Sequence, residues 1–301
     1  METPVVSVCV VNWRTANETI RLALSLEAGA QGLPLELRVV DNDSGDGSVE
    51  RLREALPDAA VIEMGRNAGF GSGVNRAVAE AQGRYLFILN PDTVVYPAAI
   101  VRLVEFLEAH PEVALGAPLM VDSHGTRHPS ARRFPTAGAA IFRNTFMGRL
   151  FPRNRFTHGY LMDDLATDRP TEVDWVSGSA MMVRRSDFQA VGGFDEGFFM
   201  YCEDIDICKR LWESGRAVAF VPDARVEHKI GASSDKVQGP MILAHHRSML
   251  RYYRKHIAPT VPAVLRPLYP AGVWARYALR QAHRWWLQAR ERMRRARGVE
   301  T

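Results

Sequence analysis

Four short apolar runs, each closed by polar or glycine-containing residues and each followed by a helix-like stretch, constrain the fold more than any other feature of this sequence. The runs are Val5 to Val11, Leu35 to Val40, Ala60 to Met64 and Arg84 to Leu89, and the stretches after the first three are Asn17 to Ala28, Ser48 to Ala55 and Gly73 to Ala81. Continuous apolar runs, unlike alternating ones, belong to strands covered on both faces, as in a parallel sheet. Strict β–α alternation predicts a doubly wound α/β sheet whose ligands bind beyond the carboxyl ends of the strands. Further along, Pro97 to Ala109 reads as a helix and Ser123 to Asp174 as long irregular loops. Asp174 to Arg184 reads as a return strand, Glu203 to Ser214 as a helix stopped by Gly215, and Ala217 to Val221 as a last strand.

The chain carries a formal charge of +4, unevenly distributed. From Pro240 onward, 13 Lys and Arg face 2 Asp and Glu, a net of +11, which leaves −7 on the first 239 residues. An acidic body suits divalent cations, and a basic tail suits anionic surfaces. This predicts two parts, residues 1–239 and a basic helical extension, residues 240–301. No apolar run approaches the 18 to 20 residues that cross a bilayer, and the start lacks a signal-type pattern, so a cytoplasmic location is expected. Cys9, Cys202 and Cys208 are too few and too irregularly spaced for a disulfide framework or a closed zinc site.

The strand ends carry the polar chemistry. Asn12 follows the first run, Asp41-Asn42-Asp43-Ser44 the second, and Asn90-Pro91-Asp92 the fourth, while the third leads into Asn67-Ala68-Gly69-Phe70-Gly71. Glycines before a helix let backbone N–H groups approach phosphate, but Val74 breaks the G-x-G-x-x-G spacing, which disfavours a dinucleotide dehydrogenase. Asp92, at a rigid strand end, suits a hard cation that also takes phosphate oxygens; it equally suits a helix cap. Glu203, Asp204 and Asp206 open a helix behind an apolar lead-in, where burial can raise a carboxyl pKa into the range of a general base. At about 100° per residue Glu203 and Asp206 lie near one face and Asp204 points away from them. The same acids would also serve as a favourable first helical turn.

Taken in order, Val8 to Asn12, Val40-Asp41-Asn42, Asn67 to Phe70 with Asn75, Leu89 to Asp92, Gly193-Phe194-Asp195-Glu196 and Glu203-Asp204-x-Asp206 resemble the family 2 inverting glycosyltransferases with a GT-A fold. Within that family they are most similar to bacterial rhamnosyltransferases of cell-surface polysaccharide assembly. The resemblance implies a mixed nucleotide-binding sheet flanked by helices, a nucleotide-diphosphate sugar donor (dTDP-rhamnose first, a UDP-sugar next), Mg²⁺ or Mn²⁺, and a hydroxyl of a glycan or lipid-linked acceptor. It implies donor contacts at Asn12, Asp41, Asn67, Gly69, Asn75 and Asn90, metal ligands at Asp92 and His228, and a catalytic base at Asp204 with Glu203 as the second candidate. Lys229 and Arg66 are candidates for phosphate contact. Asn90 departs from the family pattern, standing where many relatives carry a first aspartate. Two other classes stay open from the residues alone. One is a nucleotidyltransferase, which would want a glycine-bearing loop after the first strand; the other is a non-catalytic protein binding nucleotide sugar or membrane.

In the tail, Trp274, Ala278, Ala282, Trp285, Ala289, Met293 and Ala296 recur at helical spacing with most arginines outside the stripe. A basic amphipathic helix of this composition predicts peripheral attachment to an anionic membrane face, each basic residue contributing about 1 kcal/mol near the surface. Packing of the stripe on the catalytic part or on a second copy, giving a homodimer, is the alternative. Nucleic acid is not expected as a partner, since no recognised reading motif accompanies the arginines.

Overall fold

The computed structural model describes residues 3–135, 150, 155–162, 164–229 and 238–296. Much of the expected irregular stretch and residues 230–237 lie outside them. The first half runs β1 (Val6–Asn12), α1 (Ala16–Ala30), β2 (Leu35–Asp41), α2 (Ser48–Ala55), β3 (Ala60–Glu63), α3 (Phe70–Val78), β4 (Tyr85–Leu89), β5 (Thr93–Val95) and α4 (Ala99–Ala109). Then come β6 (Val113–Val121), β7 (Arg127–His128), β8 (Ala131–Arg132), α5 (Arg155–Leu161), β9 (Thr171–Glu172), β10 (Trp175–Val176) and β11 (Ala180–Arg184). The rest is α6 (Arg185–Ala190), α7 (Glu203–Glu213), β12 (Ala217–His228), α8 (Gln238–Tyr252) and α9 (Leu268–Ala296).

The main sheet has the order β3-β2-β1-β4-β11-β6-β12-β5. Its first four strands are parallel, as the β–α alternation predicts, with Asn12 opposite Asp41 at the ends of β1 and β2. β11 then enters antiparallel between β4 and β6, so the sheet is mixed and not uniformly parallel. Side chains of β1, β4, β6, β11 and β12 alternate between two apolar clusters, one on each face of the sheet. All seven residues of β1 and all nine of β6 are buried, the pattern of central strands covered on both sides.

Three expectations need correction. β6 is a full strand that sequence patterning passes over, because Gly116 and Pro118 interrupt its apolar run. The predicted return strand from Asp174 to Arg184 is two strands in two sheets. β10 pairs with β8, β11 joins the main sheet, and Ser177-Gly178-Ser179 links them. The last strand does not end at Val221. A register shift between Val221 and Arg225 absorbs Pro222, after which β12 continues to His228 and pairs antiparallel with β5.

By contacts the chain forms two compact units, residues 1–199 with 203–236, and Met200–Cys202 with 237–301. In the second, α8 and α9 pack on each other through the His246 and Tyr277 rings, 5.4 Å apart, and the Tyr253 and Tyr269 rings stack at 4.4 Å. Ser248 Oγ donates to Met200 O at 2.8 Å. Cys9 and Cys208 are buried free thiols, pushed up to about 12 by desolvation, consistent with packing roles.

Candidate active site

The parallel register sets Asn12 beside Asp41, and both are almost fully buried. Asn12 Nδ2 donates to Asp41 Oδ2 at 2.6 Å and to Ser44 Oγ at 3.2 Å, while Asn12 Oδ1 accepts from the Thr15 and Thr19 hydroxyls. Both ends of the amide are therefore occupied, so Asn12 acts on its neighbour: it aims Asp41. Ser44 completes the hold through its hydroxyl on Oδ2 at 2.6 Å and its backbone N–H on Oδ1 at 2.9 Å. Asp41 Oδ1 keeps acceptor capacity beyond that one bond.

Asn42, the next residue, turns toward the glycine loop. Its Nδ2 donates to Asn67 Oδ1 and Gly69 O, both at 3.1 Å, and its Oδ1 accepts from Ala68 N at 3.0 Å. Asn67 itself is exposed, and its Oδ1 also accepts from Gly69 N at 3.1 Å. Gly69 has φ +89°, and a Cβ there would stand 2.1 Å from Phe199 O, so only glycine fits. Asn42 lies within the quoted family motif, yet sequence reasoning gave it no role, because its partners sit 25 and 27 residues away.

Asn75 is placed elsewhere. Its amide donates to Phe194 O at 2.9 Å and Glu196 Oε1 at 3.1 Å and accepts from Phe194 N at 2.9 Å, so it latches the Gly193-Phe194 turn to α3. The side-chain amide of Asn75 is thus engaged with the Gly193-Phe194 turn.

At the end of β4, Asn90 N donates to Ser179 O at 2.9 Å and Asn90 Nδ2 to Ser179 Oγ at 3.3 Å. Asp92 follows, its side chain nearly buried, and the continuation of β12 brings His228 Nε2 to 3.2 Å from Asp92 Oδ1. Lys229 N donates to Asp92 O at 3.1 Å, while the Lys229 side chain and Arg66 are exposed. Among the described residues no set of three His, Cys, Asp or Glu gathers. A carboxylate with an imidazole fits Mn²⁺, which takes nitrogen as well as oxygen ligands, provided that substrate oxygens complete the shell.

On the other side of Ser177-Gly178-Ser179 stands the start of α7. Gly178 N donates to Asp204 Oδ2 at 3.1 Å, and Ile205 N to Asp204 Oδ1 at 2.8 Å. Burial raises the Asp204 pKa above the ordinary aspartate range against the pull of these bonds. Asp206 is fully buried and paired with Arg210 at 2.8 Å, which makes it a framework residue. Glu203 is 6% exposed, and its Oε2 has no hydrogen-bond partner among the described residues. Its pKa stands well above the usual value, first from desolvation and next from the adjacent Asp204 charge. Of the two candidates, Asp204 is the less buried residue. One tripeptide thus touches Asn90 through Ser179 and Asp204 through Gly178, bridging two clusters far apart in sequence. The strand expectation over Asp174 to Arg184 concealed it.

Residues 5–192 match the family model for glycosyl transferase family 2, and residues 166–230 match one described as the N-terminal domain of galactosyltransferase. The chain is 33% identical, over 82% of its length and 83% of the relative's, to the N-acetylglucosaminyl-diphospho-decaprenol L-rhamnosyltransferase of Mycobacterium tuberculosis H37Rv. It is 32% identical to the rhamnosyltransferase WbbL of Escherichia coli K12, over 63% of this chain and 72% of that one. In fold it is similar to a mannosyltransferase of Pyrobaculum calidifontis solved with GDP-Man and Mn²⁺, with TM-score 0.55, 18% identity, and 91% and 70% of the two chains covered. It is similar also to GalNAc-T7, solved with UDP, GalNAc and Mn²⁺, with TM-score 0.52 and 18% identity, over 75% of this chain and 44% of that one. With more than half its length matched by the family model, and with a mixed GT-A-type sheet, the chain belongs to glycosyl transferase family 2 and is a rhamnosyltransferase-like glycosyltransferase.

Proposed function

We propose that the protein is an inverting rhamnosyltransferase that transfers the sugar of dTDP-rhamnose, or of a related nucleotide-diphosphate sugar, to a hydroxyl of a lipid-linked glycan. The observation that carries this reading is the Ser177-Gly178-Ser179 bridge. It ties the carboxylate of Asp204, whose pKa burial raises, to the strand end that bears Asp92. The names of the curated relatives support rhamnose as the donor sugar and a diphosphate-linked lipid as the acceptor.

Asp41, aimed by Asn12 and Ser44, accepts hydrogen bonds from the donor base, and the Asn67–Gly69 loop stands beside it for the donor's ribose and phosphates. Asp92 and His228 would hold a divalent cation. When bound, the cation neutralises charge developing on the departing nucleoside diphosphate. Asp204 takes the proton from the acceptor hydroxyl, the acceptor oxygen bonds to the anomeric carbon, and the bond from that carbon to the diphosphate oxygen breaks, all in one displacement. Glu203 lies deeper, and burial raises its pKa, which favours its protonated form beside the base. A lipid-linked acceptor puts the reaction at a membrane surface; no described helix is long and apolar enough to cross one.

The test is turnover with dTDP-rhamnose and a soluble diphosphate-lipid analogue, following the released nucleotide. Release of nucleoside diphosphate with transfer to the acceptor supports the reading, while pyrophosphate release would mark a nucleotidyltransferase. Asp92→Ala is expected to abolish metal-dependent donor binding in a thermal-shift assay. A variant that keeps that dependence would remove Asp92 from the metal site.

A further inference from the structure

The packing of α9 separates two possibilities that its sequence leaves open. Its buried contacts come from Val273, 5% exposed, and from Tyr277, whose ring meets His246 of α8. Among the described side chains, from Trp274 to Trp285, the predicted stripe is not the packed face. Trp274 is 42% exposed and Trp285 70%, and Ala278 and Ala282 are exposed with them. Leu268, Leu279 and Trp286 are open as well, and at about 100° per residue they widen the apolar sector to about 140°, on the far side of the helix from Val273. Just upstream, Val264 is 82% exposed. An exposed apolar face from Leu268 to Trp286, about 27 Å at the α-helical rise, is far more than the scattered apolar residues of an ordinary surface.

Charge selects the occupant. α9 holds seven arginines and one glutamate, and by register six of the seven stand outside the apolar sector, with Arg292 at its edge. Two copies meeting through this face would bring two strongly basic segments together, whereas an anionic bilayer offers a negative surface to the arginines and an acyl boundary to the tryptophans. We infer that α9 lies flat in the interface of an anionic membrane, with Trp274, Leu279 and Trp285 inserted and the Val273 side kept against α8. The inference uses no donor or acceptor chemistry, and it stands or falls separately from the transfer reaction.

The experiment is co-sedimentation of the full-length chain with vesicles of phosphatidylcholine and phosphatidylglycerol in equal amounts, against vesicles of phosphatidylcholine alone. Binding is expected only to the anionic vesicles and should weaken as salt is added. The triple variant W274S/L279S/W285S should keep its melting temperature and lose about tenfold or more in vesicle affinity. Wild-type tryptophan emission should be quenched by brominated phosphatidylglycerol, a readout that does not depend on how the variant folds. Equal binding by both proteins, or wild-type emission that brominated lipid leaves unchanged, would overturn the inference. So would a concentration-dependent dimer in ultracentrifugation that the substitutions abolish while vesicle binding persists.

Discussion

Replacing Glu203 by glutamine should change how stability depends on pH more than stability itself. Glu203 is 6% exposed, with one carboxyl oxygen lacking a partner among the described residues and two acidic neighbours on the same helix. Desolvation, and then the Asp204 charge, raise its folded pKa well above 4.5, so the folded protein holds a proton that the unfolded chain releases. The contribution is fully present below the unfolded value and is lost as pH rises through the folded one. Inside that window each pH unit costs up to about 1.4 kcal/mol. Asp204, also raised by burial, adds a slope of the same sign in both proteins, and only its coupling to the Glu203 charge is removed by glutamine. Glu203→Gln has nearly the same shape and never ionises. Urea unfolding at a series of pH values from 4 upward should therefore show the two proteins close together at the acid end, with the variant increasingly the more stable as pH rises. Parallel profiles would refute a buried neutral acid at this position.

Asp204→Asn should bind donor normally and lose turnover by about 10² to 10⁴, the usual contribution of a positioned base, as single-turnover kinetics would show; normal turnover would move the role elsewhere. Gly69→Ala should lower the melting temperature markedly, because left-handed backbone alone costs a non-glycine residue about 1 to 3 kcal/mol and the new Cβ meets the Phe199 carbonyl. An unchanged melt would mean that the α3 entrance can shift. Asn42→Ala removes three hydrogen bonds that hold the Asn67–Gly69 loop, at about 1 kcal/mol each, and should raise the donor KM more than it lowers kcat; an effect on kcat alone would contradict a loop-holding role.

The strand-end residues were legible because chain order places them. Val40 predicts where β2 stops, so Asp41 must stand at its carboxyl end, and the same reasoning places Asn12, Asn90 and Asp92. Pairings across long gaps were not legible. Asn75 carries an amide whose chemistry is obvious, but its partner Phe194 lies 119 residues away and is fixed only by packing. β12 was cut short because Pro222 ordinarily ends a strand, and with that the route of His228 to Asp92 was hidden until a register shift accommodated the proline. β6 was missed for a related reason, its glycine and proline being read as interruptions of a strand that burial on both faces sustains.

Asp204 is gripped by peptide groups, since Gly178 and Ile205 reach it with backbone N–H and no side chain takes part in either bond. Gly178 has ordinary backbone geometry, and a Cβ there would meet Asp204 Cβ and the Phe70 ring at 3.5 Å, a normal contact. The grip therefore leaves room for a methyl group at position 178. Ser177 and Ser179 flank it half-open to solvent, their hydroxyls bonded to each other and that of Ser179 to Asn90, so changing them alters the Asn90 side of the bridge while the main chain still holds the carboxylate. On the proposed reading, this tripeptide is a place where the surroundings of the base can be varied without moving the base itself.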